Sequence, residues 1–199
     1  MANPAQRHGP LDHLGLAARA QTEDENDVHL TVLPVPQIIE LRGAWSDAFA
    51  SAVYQLLRVN IPSESPGTAK NEALTVFWMG PDRWWLVGDG AALPSVNEIR
   101  QELAAFNAAA VEIGDAFAAV EIAGAKARDV LAKGCTIDLH PRVFEADSVV
   151  QTNLAKAQIT LNQIDETTYR IFARRSFAEY LWTWLEDAGM EYGVSIETV

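Results

Sequence analysis

The chain predicts an α+β protein of two tandem β-α-β-β-α-β halves, each a ferredoxin-like unit with an antiparallel sheet. Three observations carry this expectation. Gly43 and Gly124 each close an apolar strand (IIELRG, AVEIAG) ahead of a helical stretch, and they stand 81 residues apart. Ser95 and Ser176 stand at the same offset, each with a glutamate three positions on (Glu98, Glu179), the pattern of a helix-opening capping box. Each half also carries two extended runs around a short polar turn, Gly80-Pro81-Asp82 in the first and Asp165-Glu166 in the second.

Residues 1–28 are expected to form an arm. Pro4, Gly9 and Pro10 resist helix, Leu11, Leu14, Leu16 and Ala17 offer a short apolar patch, and Thr22 to Asp27 is polar and acidic. Such a segment is either a disordered tail or one that orders against a partner.

The first half is expected over 29–115. Leu30 to Leu33 and Gln37 to Leu41 favour extended structure, with Pro34 and Pro36 between them. Trp45 to Arg58 repeats apolar residues at helical spacing, and Asn60 to Asn71 is a loop rich in Pro, Ser and Gly. Leu74 to Met79 and Trp84 to Val87 form the hairpin. Trp84 and Trp85 are neighbours on a strand, so one should face in and one out. A helix from about Ser95 to Phe106 and a strand from Ala109 to Ile113 close this half.

The second half, 116–199, repeats the order. Ala118 to Ile122 is a strand, Ala125 to Lys133 a helix stopped by Gly134, and Asp138 to Asp147 a loop holding His140-Pro141. Ala157 to Gln163 and Tyr169 to Ala173 are the hairpin. Ser176 then opens a helix whose inward stripe is Phe177, Tyr180, Leu181, Trp184, Leu185 and Ala188, stopped by a left-handed Gly189. Val194 to Glu197 is the last strand. The final strand of each half is free to cross to the other, which softens the division near Asp115.

Composition narrows the function. The 199 residues are 49 % hydrophobic and 21 % charged, an ordinary globular balance with material for a sizeable core. The net charge of −12 repels phosphate backbones, and Arg174-Arg175 is only a pair, so nucleic acid is not an expected partner. No run of 18 apolar residues offers a membrane span, and the N-terminus lacks the apolar core of a signal peptide. One cysteine, Cys135, gives no internal disulfide, so the expected compartment is the cytoplasm.

Catalytic signatures are absent from the sequence. No GxGxxG follows a strand, no GxxxxGK[ST] cradles a phosphate, and no CxxC or HExxH supplies a metal site. His140 in DLHP is either a base or a ligand or, more commonly for a loop histidine before proline, a turn residue bonding nearby backbone. Cys135 follows a helix C-terminus, where the dipole disfavours a thiolate. Glu186 and Asp187 point about 100° apart on a helix and cannot share a proton. Asp138 and Glu145 have no second group to act with.

Six tryptophans are the more informative signal. Trp182 lies off the expected apolar stripe, where it either packs on a loop or marks a contact surface. Trp182, Arg174 and Arg175, with Leu14 and Leu16 of the arm, are therefore the candidate partner interface.

The second half, with VEIAGAKARDVLAKGCTIDLHP (Val120 to Pro141) and RSFAEYLWTWLEDAG (Arg175 to Gly189), resembles the gamma subunit of heterotetrameric sarcosine oxidase. GPDRWWLVG (Gly80 to Gly88) and GPLDHLGLAARA near the N-terminus are similar to the same family. The resemblance implies a relation to the folate-binding aminomethyltransferases, such as the T-protein of the glycine cleavage system. It implies a complex with alpha, beta and delta subunits that demethylates sarcosine to glycine, passes the methyl carbon to tetrahydrofolate and forms hydrogen peroxide. FAD, FMN, NAD and tetrahydrofolate then belong to the other subunits, with zinc in delta, and this chain carries no cofactor, metal or catalytic residue. The alternative is a stand-alone folate-binding aminomethyltransferase-like protein, which needs an acidic residue and a closed pocket between the halves. Lys133-Gly134-Cys135 matches the start of the KGCYxGQE motif of related iron–sulfur assembly proteins. Thr136-Ile137-Asp138-Leu139 follows instead, so that site is not transferred.

Overall fold

The structure is a computed structural model that describes residues 9–20, 26–88 and 93–198. After a 3-10 turn at Asp12–Leu14 and the single-turn α1 (Leu16–Arg19), the chain enters β1 (Val28–Val32) and β2 (Ile38–Arg42). Helix α2 (Asp47–Leu57), β3 (Thr68–Lys70), β4 (Leu74–Gly80), β5 (Arg83–Gly88), α3 (Val96–Glu102) and β6 (Ala109–Glu112) follow. The second half runs β7 (Phe117–Ala123), α4 (Ala127–Ala132), β8 (Val149–Leu154), β9 (Ala157–Gln163), β10 (Tyr169–Arg174), α5 (Ala178–Gly189) and β11 (Val194–Thr198).

Two sheets result. The first is five-stranded, ordered β3-β4-β5-β2-β6, with every neighbouring pair antiparallel. The second is six-stranded, ordered β8-β9-β10-β7-β1-β11. With β1 removed, the two orders coincide position for position. Each is a split β-α-β pair, β2/β4 or β7/β9, with the hairpin's return strand between. The predicted duplication is thus visible in the topology.

The crossing strand is not the one expected. The first strand, β1, leaves its half and sits in the other sheet. It runs antiparallel to β7 (Leu30 opposite Ile122) and parallel to β11 (Leu30 opposite Ile196). VHLTV buries Val28 and Leu30 completely on the face that the second half's helices cover. This insertion places β1 between β7 and β11, whose counterparts β2 and β6 pair directly.

The sheets pack face to face, with helices on both outer surfaces. Beneath α2 and α3, residues including Leu41, Phe49, Val53, Trp84, Leu86 and Ile99 form one core. Beneath α4 and α5, residues including Val120, Ile122, Leu131, Tyr169, Leu181 and Trp182 form another. Ile38, Phe77, Met79, Trp85, Val87, Phe117, Ala119, Val149 and Phe172 fill the space between the sheets. Both sheets are therefore covered on both sides. This corrects the one-in, one-out reading of the tryptophan pair: Trp84 (1 % exposed) packs under α2, and Trp85 (5 %) packs against Phe117 with ring centroids 4.8 Å apart.

The two capping boxes fare differently. Ser95 accepts from the Glu98 backbone N–H at 3.2 Å, and the Glu98 carboxylate accepts from the Ser95 N–H at 2.8 Å. The Ser95 side chain and then its backbone N–H, both acting on the carboxylate, hold Glu98 below its ordinary pKa. Ser176 makes no such cap. It lies inside a 3-10 turn, Arg175–Phe177, and α5 starts only at Ala178. Gly189 is right-handed (φ −83°) rather than left-handed; the positive-φ residue is Gly193 (φ 72°). Gly189 serves closeness instead, since an added Cβ would meet Val194 at 2.7 Å.

Strands β3 and β8 lie where no strand was expected. TAK is too short to show a period. The β8–β9 turn is built on Ala155 in the left-handed region (φ 51°), without the Gly or Asn that usually announces one. At the β6 edge, the Arg100 guanidinium donates to the Ala110 carbonyl from Nε (3.0 Å) and Nη2 (2.6 Å), covering an edge acceptor.

Candidate partner interface

The surface at the start of α5 follows from how β10 ends. Its last residue, Arg174, is exposed, and the 3-10 turn keeps Arg175, Ser176 and Phe177 exposed too. The Arg174 guanidinium lies 4.6 Å over the Phe117 ring centroid, which orients a cation at the rim of the inter-sheet core. Phe177 (41 % exposed) meets Tyr180 (37 %) edge to face at 6.5 Å. The Tyr180 hydroxyl accepts from the Lys156 N–H at 3.3 Å. Two arginines and two aromatic rings thus share one end of one helix, a composition typical of contact surfaces.

Only part of the expected interface stands here. Arg174 and Arg175 are on the surface, but Trp182 is not. It is fully buried among the core residues beneath α5. The buried face of α5 is Ala178, Leu181, Trp182, Leu185 and Gly189. The expected stripe, anchored on Phe177 and Tyr180, left out Ala178 and Gly189, the small residues that seat this helix close to its neighbours. Correcting the rotation turns Trp182 inward and Phe177 and Tyr180 outward. Those two aromatics were legible as residues but were assigned to the wrong face.

Leu14 and Leu16 also belong to the chain's own packing. Leu16 is 6 % exposed within the second-half core, and Leu14 packs partly buried against it. The arm is fastened to α5 by His13 Nε2 and Glu179 Oε2 at 3.2 Å and by the Arg19–Glu186 ion pair. Of the expected arm, residues 1–8 and 21–25 lie outside the described residues.

Chemically reactive groups are placed for structure. The His140 Nδ1 accepts from the Arg142 N–H at 3.2 Å, and the Asp138 carboxylate accepts from the His140 N–H at 2.8 Å, so both build a turn. Burial pushes the Cys135 thiol up to about 11, far from a thiolate at neutral pH. Among the described residues, no group of three or more His, Cys, Asp or Glu could hold a metal ion, and no helix is long and apolar enough to cross a membrane. Two clefts flank the seam between the halves. One, of about 660 Å³, lies under the arm beside Leu16, Val32 and Ala118; the other, of about 680 Å³, lies beside Gln37, Glu112 and Asp115.

Residues 42–191 match the sequence model of the sarcosine oxidase, gamma subunit family. This chain belongs to that family. The sarcosine oxidase subunit gamma of Corynebacterium sp. (strain P-1) is 28 % identical over 188 residues, covering 94 % of this chain and 91 % of that one. A chain of heterotetrameric sarcosine oxidase from Corynebacterium sp. U-96 superimposes with a TM-score of 0.83 at 26 % identity, covering 94 % of this chain and 96 % of the other. The glycine cleavage system aminomethyltransferase T of Bartonella henselae shares the fold, with a TM-score of 0.64 at 15 % identity over 96 % of this chain and 58 % of that one. Membership of the gamma-subunit family and an aminomethyltransferase-like fold therefore both hold for this chain. It is a sarcosine oxidase subunit on an aminomethyltransferase-like scaffold.

Proposed function

We propose that this gamma subunit works as a non-catalytic structural member of a complex with alpha, beta and delta subunits. That complex oxidises sarcosine to glycine, passes the methyl carbon to tetrahydrofolate and reduces oxygen to hydrogen peroxide. FAD, FMN, NAD and tetrahydrofolate reside in the other subunits, and the complex is cytoplasmic. The observation that carries the structural role is the α5 surface, where Arg174, Arg175, Phe177 and Tyr180 are exposed together on a chain of net charge −12. We assign this surface to the contact with a large subunit. Desolvating two rings and pairing two guanidinium groups supplies both area and direction.

The folate-binding alternative needs a closed pocket between the halves. The buried side chains between the two sheets, Phe77, Trp85 and Phe172 among them, occupy that space.

Co-expression of this chain with alpha, beta and delta, followed by purification on a tag carried by this chain, tests the reading. A yellow four-subunit complex is expected. A variant carrying Arg174→Ala, Arg175→Ala, Phe177→Ala and Tyr180→Ala should recover less than a tenth of the flavin absorbance while melting like the parent. A colourless chain that binds tetrahydrofolate by calorimetry overturns the reading.

A further inference from the structure

A second aromatic surface lies on the opposite outer face, on α2. Trp45 immediately precedes the Ser46 cap of this helix and is 43 % exposed. Its backbone N–H donates to Asp82 Oδ1 at 2.7 Å, and its ring leans on the buried Trp84 at 6.2 Å, so it is held in place rather than loosely displayed. Tyr54 is 40 % exposed. Trp45, Tyr54 and Asp47 line one groove of about 400 Å³ with Ser51, Gln55 and Asn60. Asp47 is exposed, and no hydrogen bond or ion pair reaches its carboxylate among the described residues.

The fold does not require this arrangement. At the 81-residue offset, Trp45, Asp47 and Tyr54 correspond to Lys126, Arg128 and Cys135. There Arg128 bonds the Leu139 carbonyl, Lys126 pairs with Asp129, and Cys135 is half-buried. The start of the helix closes on itself in the second half, whereas in the first half it opens onto a groove that the longer α2 extends to Tyr54. An Asp in a helix's first turn is stabilising without any partner. That accounts for the carboxylate alone and not for the two exposed rings that share its groove.

Two aromatic faces and a carboxylate match the chemistry of a cation, because ring quadrupoles and negative charge both attract one. We propose that this groove seats an arginine or lysine side chain of a partner subunit, its charged head over Trp45 and Tyr54 and paired with Asp47. With the α5 surface on the other outer face, the chain then engages its partners on two sides and bridges them. The partner's identity rests on the assembly reading above.

The test is competitive incorporation. Alpha, beta and delta are co-expressed with equal amounts of parent chain and one variant, and the ratio of the two in the purified complex is read by intact mass. Trp45→Ala, Tyr54→Ala and Asp47→Lys are each expected to enter at least tenfold less than the parent, with melting temperatures of the isolated chains within about 2 °C of it. Should Trp45→Ala lose stability through Trp84, the exposed positions Tyr54 and Asp47 decide. A parent that assembles alongside variants that enter equally overturns the groove while leaving the assembly reading intact. A parent that never assembles overturns both. Equal entry combined with quenching of tryptophan emission by tetramethylammonium, abolished in Trp45→Ala, makes the groove a site for a free cation and also overturns the docking.

Discussion

Trp182 and Tyr169 each carry a polar atom into the second-half core, and neither the indole N–H nor the phenol finds a hydrogen-bond partner among the described residues. Their substitutions should nevertheless diverge. Trp182→Ala removes a fully buried ring and leaves a cavity, so it should cost about 3–5 kcal/mol in denaturant unfolding of the isolated chain. Tyr169→Phe removes only an unpaired hydroxyl and should leave the midpoint unchanged or slightly raised. Cys135 supplies a pH test. Its thiol pKa lies above the unfolded value, so the folded state holds a proton that the unfolded state releases first. Stability from this group is intact below about pH 9 and falls as the pH rises toward 11. Comparing melting temperatures of parent and Cys135→Ala from pH 8 to 10.5 should show the parent losing ground only at the alkaline end.

At the scale of elements, local patterns were readable where a backbone signal and a side-chain signal agreed. Ser95 precedes a helix that begins at Val96 and carries Glu98 in its first turn, and both capping bonds form. The same pattern at Ser176 failed because the preceding 3-10 turn takes over that serine, and the α5 face was then misjudged by a rotation. Nothing in the letters of Tyr169 to Gly189 says that Ala178 and Gly189, rather than Phe177 and Tyr180, approach the sheet. That choice belongs to how closely the helix must seat. Ser95→Ala should therefore cost about 1 kcal/mol and Ser176→Ala less than about 0.5, measured by the same denaturant titration. The arm divides in a similar way. Leu16→Ala should cost about 2–3 kcal/mol, whereas Arg19→Ala, which breaks an ion pair at the surface, should be nearly silent. Of the residues expected at an interface, Arg174 and Arg175 lie on the surface as charged residues ordinarily do. The aromatics that accompany them needed the orientation of the helix.

For the whole molecule, the duplication was legible in the 81-residue offset, but the exchange of β1 was not, because strand pairing across the chain leaves no local mark. Its expected consequence is that neither half folds without the other. A fragment of residues 116–199 lacks the strand between β7 and β11, and residues 38–115 lose the surface that covers Phe77 and Trp85. Neither fragment should show a cooperative thermal transition by circular dichroism, while the intact chain should melt in one step. A Phe172→Ala change, at the sheet-to-sheet contact, should lower that single transition without splitting it.

The position of β1 also sets an order in time. Val28 to Val32 is synthesised well before either of its two neighbours, Phe117 to Ala123 and Val194 to Thr198. At about 5–20 residues per second, roughly ten to thirty seconds separate the strand from its final partner. Through that interval one edge of the β-prone VHLTV segment waits uncovered, and the six-stranded sheet can close only once Val194 to Thr198 has been made.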